Sequence, residues 1–268
     1  MTKQSTGTPG DCFTSFAMTA GFVFWFRQRS NMGFTLDSII SPEFKFYQPS
    51  HGYRINIDTV ILYDFASKYA KGSVLEIGSA SGIISILLSK HPGVSGVTGV
   101  EINRDLYLAS LKNRQMHDSE NGVRFMNADI NAYKTLFRAQ SYGALVTNPP
   151  FCREGTVKKG TRSGLESSHS DKYLTIENIF KAARYLLKPK GYLIMLFISR
   201  RIDEVFTCIR GFHIEVLRFV HRTKDRPSDV FLMLARKGGG KQLGILPPLI
   251  VHEAGGYSPE VTAMLNPD

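Results

Sequence analysis

Cysteine is scarce in this chain: three residues in 268, at Cys12, Cys152 and Cys208. The count is odd, the spacing is wide, and there is no CxxC pair or Cys/His cluster, so neither a disulfide framework nor a metal site is expected. A reducing compartment suits such thiols, and the expected location is cytoplasmic. Long apolar runs are missing too, so no membrane attachment is expected. The most suspicious stretch, Phe13 to Phe26, carries the single tryptophan, Trp25, and runs into Arg27, Gln28 and Arg29. It falls short of the ~20 apolar residues that span a bilayer. Lys3 is the only basic residue ahead of it, which argues against a secretory signal, whose basic end comes first. Internal repeats and low-complexity tracts are absent as well. Acidic residues are in deficit, 23 against 33 lysines and arginines, for a formal net charge of +10. That excess suits a polyanion such as nucleic acid, because each neutralised phosphate releases condensed counterions. Charge alone leaves membranes and acidic proteins open.

What is present is the composition of a globular domain long enough to bury a sizeable core. From Ser73 onward, short apolar runs alternate with helix-length amphipathic stretches, the pattern of βαβ units around a mostly parallel sheet. Ser73–Ile77, Val97–Glu101, Val123–Asn127, Ala144–Thr147, Tyr192–Ile198, Ile214–His221 and Val230–Ala235 read as strands, seven in all. Ile83–Lys90, Asp105–Met116, Ile176–Leu187 and Arg201–Ile209 place apolar residues at helical spacing. The expected fold is α/β, a seven-stranded, mostly parallel sheet with an antiparallel C-terminal hairpin and helices on both faces. Residues 1–31 read as a peripheral, partly disordered N-terminal extension, and residues 32–268 as a single domain. Two long polar loops, Cys152–Lys172 and His221–Asp229, interrupt the pattern. Loops of that length and charge usually carry function.

The segment Val74-Leu75-Glu76-Ile77-Gly78-Ser79-Ala80-Ser81-Gly82 runs a strand into a turn of small residues and then into an apolar helix. Small residues let a ligand approach the backbone where a helix begins, although many βα turns are glycine-rich without binding anything. The next strand ends at Glu101, 23 residues beyond Gly78. There a carboxylate can accept hydrogen bonds from both hydroxyls of a ribose, a spacing that dinucleotide-binding folds share. The third strand runs into Asn127-Ala128-Asp129, whose acid can accept from an adenine amino group, and the fourth into Asn148-Pro149-Pro150-Phe151. A nicotinamide enzyme has no use for that last tetrapeptide.

An amine on an aromatic ring is a poor nucleophile, because its lone pair is delocalised into the ring. In an Asn-Pro-Pro-aromatic turn the Asn148 side-chain oxygen and the Pro149 carbonyl can accept both amino hydrogens while Phe151 stacks on the ring. Two successive prolines, Pro149 and Pro150, fix φ near −65° and hold those acceptors in place. The turn could also be no more than a rigid strand end.

From Glu76 to Phe151 the set resembles the Rossmann-like class I methyltransferase fold. The resemblance implies S-adenosylmethionine as cofactor, held by Arg54, Glu76, Gly78, Ser79, Ala80, Gly82, Glu101, Ile102, Asp129, Ile130 and Asn148. No metal is implied, since a sulfonium is already an activated methyl donor. Ala80 departs from the glycine common there; its extra methyl is tolerated if the local backbone keeps an ordinary φ. The NPPF tetrapeptide is similar to that of amino methyltransferases acting on adenine, guanine, cytosine and a protein glutamine amide, with Asn148, Pro149, Pro150 and Phe151 as the catalytic turn. Upstream, Gln48-Pro49-Ser50-His51-Gly52-Tyr53-Arg54-Ile55-Asn56-Ile57-Asp58-Thr59-Val60 resembles the segment that precedes the catalytic domain in the bacterial valine-tRNA adenine-N6-methyltransferase family. Arg218-Phe219-Val220-His221, Leu246–Val251 and Gly256–Val261 are similar to that family's closing strands and tail. The resemblance covers roughly residues 34–265. It implies N6-methylation of an adenine beside the anticodon of valine tRNA, with tRNA as partner. Phe151 stands where that family more often has tyrosine, and either ring can stack.

Arg153, Lys158, Lys159 and Arg162 directly follow the turn, and Arg218, Arg222, Lys224 and Arg226 lie around the last hairpin. Arg153, Lys158, Lys159, Arg162, Arg222 and Lys224 are the candidate RNA contacts, tracking phosphates around a flipped base; a solvated basic loop is the plainer reading. His169 also matches a family position and reads as a loop-organising hydrogen bond. The competing functions are a ribosomal guanine-N2 methyltransferase, a protein glutamine methyltransferase, and an RNA-binding module with this fold and no turnover. Residues 1–45 are too short for the helical N-terminal domain expected of the glutamine enzyme.

Overall fold

The computed structural model describes residues 28–29, 33–39, 44–50, 55–117, 119, 122–151 and 174–266. The described chain begins with a small antiparallel sheet of β1 (Gln28–Arg29), β2 (Phe34–Ser38) and β3 (Lys45–Pro49). Gln28 and Arg29 pair with Leu36 and Thr35, so the end of the segment read as a peripheral extension takes part in a sheet. Gln48 on β3 donates to Asp37 at 2.7 Å and accepts the Ile55 amide at 2.7 Å, fastening the entry to helix α1 (Ile57–Ser67). Asn56 caps that helix by accepting the Asp58 amide at 3.1 Å.

The main sheet is then laid down by alternating strands and helices: β4 (Gly72–Ile77), α2 (Ile83–Ser89), β5 (Val94–Glu101), α3 (Arg104–Met116), β6 (Val123–Asn127), α4 (Tyr133–Leu136) and β7 (Tyr142–Thr147). After residues 152–173, which lie outside the described set, come α5 (Ile176–Leu186), β8 (Leu187–Ile198), α6 (Ile202–Cys208), β9 (Phe212–His221) and β10 (Ser228–Lys237). The strand order is β9-β10-β8-β7-β4-β5-β6 through the seven long strands, with β4 to β8 parallel and β10 antiparallel to both β8 and β9.

Leu193 to Phe197 on β8 are wholly buried because helices cover both faces of the sheet; such strands read as continuous apolar runs, not as alternation. One face packs α1 and α2 against Val74, Val97, Val146 and Leu196. The other packs α5 against Leu75, Leu145, Met195 and Phe197. Helix α5 carries Ile176, Ile179, Phe180, Ala183 and Leu186 on its buried side, the spacing of one helical face. Thr175 caps it by accepting the Asn178 amide at 3.2 Å.

Among the described residues the sheet has nine strands, not seven. Two-residue strands β11 (Gly244–Ile245) and β12 (Leu249–Ile250) run parallel along the outer edge of β9. They are too short to show a period, and Pro247 and Pro248 separate them, which prolines do at sheet edges. Arg218 holds the strip down, donating to the Pro247 carbonyl at 3.0 Å and pairing with Glu260 at 2.6 and 2.7 Å. A short hairpin of β13 (His252–Glu253) and β14 (Gly256–Tyr257) and helix α7 (Pro259–Leu265) complete the tail. The long polar loop expected from His221 to Asp229 contracts to residues 222–227, because β9 runs through His221 and β10 begins at Ser228.

Candidate active site

The register brings the ends of β4, β5, β6 and β7, which lead into the small-residue loop, Glu101, Asp129 and the NPPF turn, to one edge of the sheet. Ile77 lies opposite Val100 and Thr147, Glu101 opposite Asn127, and Thr147 opposite Met195. The carboxyl ends of β4, β5, β6 and β7 therefore meet along a common rim. Sequence order reverses there, since β4 is flanked by β5 on one side and β7 on the other. Open α/β sheets bind ligands in the crevice at such a switch point.

The loop after β4 turns tightly over this rim. The Gly78 and Ser79 amides both donate to the Val100 carbonyl, at 2.9 and 3.1 Å, and Gly82 donates to Ser79 at 2.8 Å. Gly78 and Gly82 adopt φ of 72° and 85°. A Cβ on Gly82 would run into the Phe125 ring and stand 2.9 Å from the Ser110 Cβ, so both conformation and space demand glycine there. Ala80, however, has φ of 47°. The condition of an ordinary φ is not met: the alanine sits in the left-handed region, with its amide donating to Glu101 Oε2 at 2.9 Å.

Glu101 accepts a second amide, that of Asn103, at 2.7 Å. Burial raises its carboxyl above the ordinary range, and the amides of Asn103, Ala80 and Ile102 oppose that shift. Glu76, buried beneath the loop, accepts the Ser85 hydroxyl at 2.5 Å. Burial pushes its carboxyl up to about 8, against the Ser85 hydrogen bonds and with a contribution from the Glu101 charge. Ile102 is 42% exposed beside Glu101, an apolar face open at the rim. Asp129 is half-buried and caps the turn after β6 by accepting the Asn131 amide at 2.9 Å. Ile130 is buried in the core under that turn.

Asn148 follows directly on β7. The Thr147 hydroxyl donates to the Ile77 carbonyl at 3.0 Å, tying the start of the NPPF turn to the start of the small-residue loop. The Asn148 side-chain oxygen is buried and has no hydrogen-bond partner among the described residues; the Ser79 hydroxyl at the same rim is in the same condition. Buried polar atoms are seldom left unpaired unless something else is meant to pair with them. Pro149 is buried, and the Phe151 ring meets the Phe197 ring edge-on at 6.3 Å.

Residues 52–205, more than half of the chain, match the model of the methyltransferase small domain. The chain belongs to this family. Its fold is that of the class I methyltransferases. A structure from Agrobacterium tumefaciens, described as a predicted O-methyltransferase, superposes with a TM-score of 0.60 at 14% identity over 77% of this chain and 94% of that one. The tRNA m1G37 methyltransferase of Methanocaldococcus jannaschii gives 0.53 at 12% identity over 79% and 59%. Among curated relatives, a protein of Vibrio cholerae is 24% identical over 83% of this chain and 92% of its own length. One of Porphyromonas gingivalis is 24% identical over 84% and 92%. Both are named tRNA1(Val) (adenine(37)-N6)-methyltransferase.

Methyltransferases of this class use S-adenosylmethionine, and the rim suits it: a hydroxyl and an amide oxygen without partners among the described residues, a carboxylate at the tip of the second core strand and a loop whose glycines bring the backbone close. Gly78, Ser79, Ala80, Gly82, Glu101, Ile102, Asp129 and Asn148 come together along it, and Glu76 and Ile130 lie beneath. Arg54, Arg153, Lys158, Lys159, Arg162 and His169 lie outside the described residues. Arg222 and Lys224 occupy the β9–β10 turn, which rises at the carboxyl end of β8 because Ile198 pairs with Val230 and Val230 with Val220. Lys224 is exposed and Arg222 half-buried. Among the described residues no His, Cys, Asp and Glu group could hold a metal ion, and no helix is long and apolar enough to cross a membrane.

Sequence reasoning missed two contributors. Asn113, buried on α3, donates to the Ser81 and Tyr47 carbonyls at 2.8 and 2.9 Å and accepts the Tyr47 amide at 2.6 Å, joining the small-residue loop to the N-terminal sheet. Arg201 donates to the Phe151 carbonyl at 3.0 Å. Neither carries a motif, and each spans a long stretch of chain.

Proposed function

We propose that this chain transfers a methyl group from S-adenosylmethionine to the exocyclic amine of an adenine in tRNA, beside the anticodon of valine tRNA, in the cytoplasm. The observation that carries the amine chemistry is the Asn148 side-chain oxygen at the end of β7, buried and without a hydrogen-bond partner among the described residues. The acceptor is inferred from the relatives named for that reaction, which align over most of both chains. When bound, the cofactor supplies a methyl group already activated on a sulfonium.

Glu101 would accept from the ribose hydroxyls of the cofactor, Ile102 would offer its exposed side chain to the adenine, and Asp129 would accept from the adenine amino group. Gly78, Ser79, Ala80 and Gly82 would hold the rest of the cofactor through their loop, with Glu76 and Ile130 supporting loop and turn from below; Arg54 would complete the set. At the other side of the rim, Asn148 and the Pro149 carbonyl accept the two amino hydrogens of the substrate base. They draw the nitrogen lone pair out of conjugation and aim it at the methyl group. Pro150 stiffens the turn and Phe151 stacks on the base. Arg153, Lys158, Lys159, Arg162, Arg222 and Lys224 contact phosphates of the RNA. An anticodon loop offers unpaired bases, so extrusion into the crevice costs less than from a duplex.

The test is incubation with labelled S-adenosylmethionine and separately purified tRNA, rRNA, DNA and protein, followed by nucleoside mass spectrometry. N6-methyladenosine in the tRNA fraction is expected. Methylguanosine alone, or label only in protein, refutes the assignment and selects one of the rival amine acceptors.

A further inference from the structure

The NPPF turn cannot fasten itself, because Pro149 and Pro150 have no N–H to give and every hydrogen bond that holds the turn must be offered to its carbonyls or made by Asn148 and Phe151. One such donor comes from the far side of β8, where the 3-10 turn Ser199–Arg201 leads into α6. Arg201 Nη1 donates to the Phe151 carbonyl at 3.0 Å. Its Nε and Nη2 grip Glu204 Oε1 and Oε2, each at 2.9 Å, a bidentate pair that fixes the plane of the guanidinium. The same guanidinium lies 5.0 Å from the centre of the Phe197 ring, which in turn meets the Phe151 ring edge-on. Both the carbonyl and the side chain of Phe151 are thus referred, directly or through one ring, to a single cation.

We infer that Arg201, held by Glu204, is a positioning residue for methyl transfer: it sets the NPPF turn and the Phe151 platform on which the acceptor amine is presented. This rests on the amine-methylation reading above and adds to it a residue that touches neither cofactor nor base. Arg201 is only 15% exposed and is pinned along its carboxylate, carbonyl and aromatic contacts, which removes it from the residues free to grip an RNA phosphate. A lysine in its place would offer a point charge without the planar fork, so it could not hold Glu204 through two parallel bonds and reach Phe151 in the same geometry.

Arg201→Lys, Arg201→Ala and Glu204→Gln test this in the full chain. Single-turnover methylation of tRNA should slow by about 10- to 100-fold in both Arg201 variants, the scale of a small misplacement of reacting groups. It should slow less in Glu204→Gln, which keeps the bond to Phe151. Affinity for S-adenosylmethionine should stay within about twofold of wild type, as expected for an effect confined to the reacting geometry. Amide hydrogen exchange at Asn148 and Phe151 should quicken in the same order. Parallel losses of cofactor affinity and melting temperature across all three variants would mean a merely structural role and overturn the inference. A rise in KM for RNA with an unchanged rate constant would mean a phosphate contact and overturn it as well. If the wild-type chain methylates no adenine in tRNA, the functional reading fails by itself; unchanged exchange at Asn148 and Phe151 would then overturn the positioning role independently.

Discussion

Ala80→Gly should stabilise this protein. Ala80 has φ of 47° within a loop whose Gly78 and Gly82 are also at positive φ, so the chain bends through the left-handed region at three of five successive residues. For an L-residue with a Cβ that conformation costs about 1–2 kcal/mol. Glycine removes the penalty but gives the unfolded chain more freedom, which offsets about 0.4–1 kcal/mol. The net expectation is a gain of about 0.5–1 kcal/mol, or about 1–4 °C in melting temperature for a chain of this size. The hydrogen bond from residue 80 to Glu101 Oε2 uses the backbone amide and survives the substitution. Urea denaturation of wild type and Ala80→Gly without cofactor measures the stability, and calorimetry measures S-adenosylmethionine affinity, which should change little. A less stable Ala80→Gly would refute the strain argument and show that the alanine methyl makes packing contacts worth more than the backbone penalty.

Gly82→Ala should do the reverse, lowering stability by about 2–4 kcal/mol, since it combines a left-handed φ with overpacking against Phe125 and Ser110; denaturation of the variant checks it. Glu101→Ala should weaken S-adenosylmethionine by about 1.5–3 kcal/mol through loss of a charged acceptor, whereas Asn148→Ala should leave that affinity nearly intact and reduce the methyl-transfer rate by orders of magnitude. Calorimetry and single-turnover kinetics on the two variants give the contrast, and a near-wild-type rate in Asn148→Ala would sink the amine-clamp mechanism. Burial lifts Glu76 to about 8 and Asp58 to about 7, so between their unfolded values and these the native state holds more protons than the unfolded one. Melting temperature should therefore fall as pH rises through 7 and 8, and Glu76→Gln should flatten the upper part of that decline.

The long strands were legible in the sequence because their burial on both faces writes itself as apolar runs, as in Leu193 to Phe197. Their ends moved by a few residues, with β5 beginning at Val94 and β8 at Leu187. The loop after β4 was legible as a motif, but the φ of Ala80 was not, since it is set by an acceptor 21 residues away on the neighbouring strand. Strands β11 and β12 were hidden by their two-residue length. The pairing of Gln28 and Arg29 with β2 was hidden by the same shortness. Arg201 meets Phe151 across 50 residues of sequence, and nothing in the local pattern around either marks the contact.

What the sheet adds to these motifs is distance control. Methyl transfer needs donor and acceptor held at near contact, and two loops that moved independently would lose that geometry to their own freedom. Here the loop after β4 and the turn after β7 leave adjacent strands whose last residues, Ile77 and Thr147, are paired in register. The Thr147 hydroxyl bonds the Ile77 carbonyl across that pair, so the two segments start from one fixed point. Asn113 then secures the loop from the side of α3, and Arg201 secures the turn from the side of α6. The loop and the turn are thereby each tied at a second point besides their shared strand ends, which is how residues without a recognisable motif come to bear on the gap that the motif residues must close.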